Sequence, residues 1–76
     1  MNIDEYKDYC GEIVRVIRAC TTLDEVDIAI MAFEGVMAFE GVGTHYSNSE
    51  RAANDFMRIV YFASVCRYQA IKSGDI

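Results

Sequence analysis

The sequence predicts an all-α protein, either a three-helix bundle or an oligomer of helical hairpins, with helices over about residues 3–19, 23–39 and 48–73. Three observations point there. A small polar residue followed three positions later by glutamate occurs at Asn2/Glu5, Thr22/Glu25 and Ser47/Glu50. In such a capping box each side chain bonds a backbone N–H that a helix start leaves unsatisfied. Each box opens an apolar run at helical spacing, and no stretch alternates like a strand between turns except the ambiguous Asp27–Phe33, whose isoleucines lower helix propensity.

In the first helix, Ile3, Tyr6, Cys10, Ile13, Ile17 and Cys20 recur at helical spacing, and Val14 widens the face. Arg15 and Arg18 suit its C-terminal end, where the macrodipole favours positive charge. Gly11 costs about 1 kcal/mol against alanine without stopping the pattern. Asp4, Asp8 and Glu12 stand at four-residue steps and repel by roughly 0.2–0.5 kcal/mol per pair, with Lys7 and Arg15 placed to relieve part of it.

The second helix carries Leu23, Val26, Ile30, Phe33 and Met37 at heptad-like spacing. It contains a tandem hexapeptide, Met31-Ala32-Phe33-Glu34-Gly35-Val36 followed by Met37-Ala38-Phe39-Glu40-Gly41-Val42. Six residues advance a helix by about 600°, so the second copy is rotated by about 240° and Phe33 and Phe39 point about 120° apart. One face cannot bury both. Either the duplication is tolerated at a helix end, or Phe39 with Val36 and Met31 forms a second contact surface. Gly41, Gly43 and the polar Thr44-His45-Tyr46 then turn the chain.

The third helix has its stop signal in Gly74, suited to the left-handed residue past a helix end, with Arg67 and Lys72 near its C-terminus. At 1.5 Å per residue it would be about 39 Å long, so part of it is expected to project or to be covered by a second copy. Its apolar residues fall on two faces. One is Ala52, Phe56, Ile59, Ala63, Cys66 and Ala70; the other is Met57, Tyr61, Ser64 and Tyr68. Either both faces meet the chain's other helices, or the tyrosine face meets another protein, because Tyr and Met are enriched at interface cores.

Seventy-six residues make one helical domain over 1–76. A core of this size rarely supplies more than about 3–5 kcal/mol, and small proteins lean on disulfides, metals or oligomerisation. At 53% hydrophobic the chain is too apolar for disorder, and charge interrupts it too evenly for a membrane span. The acidic N-terminus lacks the order of a signal peptide, so a cytoplasmic location is expected. Cys10, Cys20 and Cys66 form no metal-type pair and are expected as buried, reduced thiols.

The net charge of −5 resides in the middle third: residues 21–46 hold five acids (Asp24, Glu25, Asp27, Glu34, Glu40) and no base. That argues against direct nucleic-acid binding, which needs clustered Lys and Arg, and permits a partner with a basic face. Asp27 and Glu34 are seven apart, as are Arg51 and Arg58, so antiparallel second and third helices could pair them. No catalytic constellation is present. His45 is the only histidine and lies in a turn, and Gly41-x-Gly43 lacks the lysine and third glycine of a phosphate loop. Nothing fits a zinc site, an EF-hand loop or a nucleophile elbow, so no cofactor is expected.

Arg18-Ala19-Cys20-Thr21-Thr22-Leu23-Asp24-Glu25-Val26 looks like the first-turn region of the Hha/YmoA family, and Tyr46-Ser47-Asn48-Ser49-Glu50 is similar to a later helix start there. The two pieces cover about fourteen of 76 residues, and both are capping boxes. The resemblance implies a small helical protein that modulates nucleoid-associated repressors.

These features lead to the expectation of a small acidic, non-enzymatic module that binds another protein stoichiometrically, inhibiting or modulating it. Asp24, Asp27, Glu34 and Glu40 are the expected contacts to a basic partner surface, and Phe39, Met57, Tyr61 and Tyr68 the expected interface to a partner or within a homodimer. Small acidic helical proteins of this kind are common on phages and plasmids, where they block host enzymes or defence complexes, which is an analogy of fold alone. The alternatives are a transcription or nucleoid modulator acting through a protein partner, and a small-ligand binder at a subunit interface.

Overall fold

A computed structural model of the chain describes residues 2–40 and 48–76. It is an all-α three-helix bundle: α1 spans Ile3–Ala19, α2 Leu23–Glu40 and α3 Asn48–Lys72. α1 and α3 run parallel, since Tyr6 meets Phe56 at one end and Cys20 meets Arg67 at the other. α2 runs antiparallel to both.

Two of the helix starts can be seen at atomic level. Asn2 Oδ1 accepts from the Glu5 N–H at 2.9 Å, while its Nδ2 donates to Glu5 Oε1 at 3.2 Å. At α2 the Glu25 N–H donates to Thr22 Oγ1 at 3.2 Å. The Glu25 carboxylate reaches past the cap, accepting from the Thr21 N–H and Oγ1 at 3.4 and 3.2 Å. The expected box at Ser47/Glu50, the turn at Gly41–Tyr46 and His45 lie outside the described residues. α3 ends as its Gly74 requires. With φ of 76°, Gly74 donates its N–H to the Ile71 carbonyl at 3.2 Å, and Asp75 donates to Ala70 at 3.0 Å. This pair of bonds is the Schellman closure.

The core is drawn from all three helices: Tyr6, Cys10 and Ile17 from α1, Ala29, Phe33 and Met37 from α2, and Val60 from α3. Phe33 is its centre. Tyr9 stacks on it at 5.9 Å between ring centroids, and Tyr61 meets it edge-on at 6.0 Å. Aromatic pairs at such distances add about 0.5–1.5 kcal/mol each beyond the burial of area.

Val60, fully buried, was on neither expected face of α3. It lies between them, where a helix flanked by two neighbours turns its midline inward. One face, through Phe56, meets α1; the other, through Tyr61, meets α2. Both faces are therefore used within the chain. Residues at the outer edge of the first face pay for that rotation by exposure. Ile59 faces solvent, and Cys66 is exposed rather than buried as expected, while Cys10 and Cys20 are buried.

The hexapeptide behaves as its rotation dictates. In the first copy Phe33 is wholly buried and Met31 is 70% exposed; in the second Met37 is buried and Phe39 is 89% exposed. No helix of the described residues is long and apolar enough to cross a membrane.

Candidate functional site

α2 is the helix whose chemistry its own fold leaves unfinished. Its inward arc is Val26, Ala29, Phe33 and Met37. On the opposite side Ile28, Met31, Ala32, Gly35, Ala38 and Phe39 are all exposed. These six fall at i, i+3, i+4, i+7, i+10 and i+11, one apolar stripe about 120° wide. A helix that is apolar on both sides is ordinarily covered on both. The middle of the stripe is low: a Cβ added at Gly35 would meet nothing within 4 Å. Bulky Ile28 and Met31 stand at one end and Phe39 at the other.

Carboxylates border this stripe. Asp24 and Glu25 are exposed in the first turn, and Asp27 and Glu34 are exposed along the edge nearer α3. Asp27 and Glu34 were expected opposite Arg51 and Arg58. The Arg51 side chain lies outside the described residues, and among these the seven-residue spacing is matched by Tyr61 and Tyr68. Tyr61 Oη donates to Glu34 Oε1 at 3.1 Å, and Tyr68 Oη donates to Asp27 Oδ1 at 2.7 Å. Arg58 is exposed, and the ion pair seen among the described residues is Arg15–Glu12 at 3.2 Å. A phenol suits this seam because its ring can lie on the core while its hydroxyl meets a wet carboxylate.

Both phenols hold their protons more tightly than a free tyrosine. For Tyr61 burial is the main cause, with the bond to Glu34 adding to it. For Tyr68 the bond to Asp27 comes first. The Lys72 ammonium sits 5.8 Å from the centre of the Tyr68 ring, a cation–π contact that closes the outer edge.

The residues expected at a site thus divide. Asp24 and Phe39 are exposed on the surface. Asp27 and Glu34 are exposed but each already accepts a bond within the chain. Met57 and Tyr61 pack against the core, and Tyr68 is half-buried over α2. The side chain of Glu40 lies outside the described residues. Ile28, Ala32, Gly35 and Ala38 were not singled out from the sequence, although plotting residues 23–39 around a helix brings them together with Met31 and Phe39. A further outward row, Ile59, Phe62 and Val65, lies on α3.

Among the described residues no three His, Cys, Asp or Glu side chains gather as a metal site. Tyr6 Oη is buried with no hydrogen-bond partner among them; burial, and next the Cys10 thiol, push its pKa far up.

No protein-family model, no curated protein and no solved structure matches this chain. The stretch resembling the Hha/YmoA family, Arg18–Val26, forms the α1–α2 connection and the cap of α2.

Proposed function

We propose that this protein is a non-enzymatic binding module that acts by stoichiometric occupation of another protein with a basic surface, inhibiting or modulating it. The observation that carries this is the exposed stripe of α2, with Phe39 89% exposed at one end and Ile28 67% exposed at the other. Surface of that kind, rimmed by Asp24, Glu25, Asp27 and Glu34, gives a partner apolar contact at the centre and charge at the rim, the usual layout of an interface. Glu40 is proposed as a further acidic contact from the sequence alone. Carboxylates there speed encounter with a cationic surface and reject anionic ones. Host takeover or anti-defence in a cytoplasmic setting is proposed for the protein by analogy of fold alone.

Self-association uses the other outward row. Ile59, Phe62 and Val65 on α3 offer the face for a homodimer, because Met57, Tyr61 and Tyr68 already lean on their own chain.

The test is affinity capture with the immobilised chain at low and moderate salt. Any captured protein is identified, purified and titrated back by calorimetry. A one-to-one complex lost in Phe39→Glu supports the proposal. An empty capture at both salts, or a complex indifferent to Phe39→Glu, sinks it.

A further inference from the structure

We infer that the groove between α1 and α2 is a seat for one amphipathic helix of the partner, basic on its polar side, which completes a four-helix arrangement. This rests on the proposed partner-binding reading and specifies what the partner presents. The groove holds about 550 Å³. Ile13, Val16, Cys20, Ile28, Ala29 and Ala32 line it, and it continues the outer stripe of α2 through Ile28 and Ala32. Its two ridges, Val16 and Ile28, are 51% and 67% exposed.

Three features select the occupant. The small side chains of Ala19, Cys20, Ala29 and Ala32 let a helix backbone approach closely. The lining offers almost no polar group to orient a small molecule, which ligand pockets of this size need. The charged residue that does line it is Glu25, beside Asp24, on a segment with no base between residues 21 and 46. Lysines or arginines flanking an apolar helix face would meet those carboxylates, whereas the base-free α2 of a second copy would bring more acids to them.

The experiment titrates the isotope-labelled chain with a synthetic Leu/Lys peptide of about 15 residues, long enough for four helical turns. A peptide of identical composition with the leucines scrambled is the control. Chemical-shift changes should concentrate at Val16, Ala19, Ile28 and Ala32, and the scrambled peptide should bind at least about tenfold more weakly. Val16→Asp and Ile28→Asp, both at exposed positions, should each weaken binding about tenfold with unchanged helix content, and Gln69→Glu, an exposed change on α3, should leave it within about twofold. Equal binding of the scrambled peptide, or no binding, overturns the groove. So does light scattering that shows a dimer which Val16→Asp dissociates, since a second copy then fills it. Shifts confined to Met31, Gly35 and Phe39 also overturn the groove while leaving the broader reading of α2 intact.

Discussion

Tyr68 and Asp27, forty-one residues apart in sequence, are joined by a 2.7 Å hydrogen bond from phenol to carboxylate. One heptad along each antiparallel helix, Tyr61 and Glu34 repeat the bond at 3.1 Å. The two rungs fix how far α2 can slide along α3. Removing the lower rung by Tyr61→Phe keeps the edge contact with Phe33 and should cost about 0.5–1 kcal/mol, the net worth of a solvent-accessible hydrogen bond. Tyr68→Phe should cost less, because water competes at that rim. Urea titrations of the two variants and the double variant check this. The losses should add, since the sites lie about 10 Å apart along the helix and share no partner.

Alkaline pH should loosen the fold. Tyr6, Tyr9, Tyr61 and Tyr68 are all raised above the ordinary phenol value of 10.0. Cys10 and Cys20 are raised above 9.0, chiefly by burial. The folded chain therefore holds protons that the unfolded chain releases. Stability present in full below about pH 9 falls as pH rises past these values. Melting curves from neutral pH to about pH 11 should show Tm dropping, with tyrosinate absorbance appearing together with unfolding. A flat Tm over that range contradicts the assignment.

Tyr6→Phe should stabilise the protein. Among the described residues the Tyr6 hydroxyl is buried with only the weakly hydrogen-bonding Cys10 thiol beside it, and a poorly met buried polar group costs about 1–3 kcal/mol. The ring keeps its 6.2 Å contact with Phe56. Thermal unfolding should move up, and the alkaline decline should begin from a higher plateau. A lower Tm would mean that the hydroxyl has a bound partner in solution.

Arg67 ties the first connection to α3 by donating its Nε–H to the Cys20 carbonyl at 2.7 Å. Arg67→Ala should cost about 1–2 kcal/mol and speed amide exchange at Thr21 and Thr22, measured by hydrogen exchange. Arg67→Lys should recover little, because lysine carries a methylene where arginine has the Nε–H that meets this carbonyl.

Much of the fold was legible because its signals are local. Asn2 and Thr22 announce helix starts and Gly74 a helix end, and each does so through bonds to residues within a few positions. The burial of Tyr6, Cys10, Phe33 and Met37 follows from periodicity alone. Val60 was not legible. Its inward orientation depends on where two neighbouring helices sit, and no local pattern states that. The same cause exposes Ile59 and Cys66. The phenol partners of Asp27 and Glu34 were not legible for a related reason: spacing identifies two complementary rows but not their rotation. The open stripe of α2 was half legible, through Phe39 and Met31 alone.

The doubled hexapeptide of α2 has one more implication, for what a deletion there would do. Identical text on a spiral staircase opens onto opposite rooms: the phenylalanine of one copy is structural mortar, and that of the other hangs outside. A frame-preserving loss of either unit would not merely shorten the staircase. It would turn the end of α2 by about two thirds of a turn relative to its start, and carry an outward side chain to the inward face.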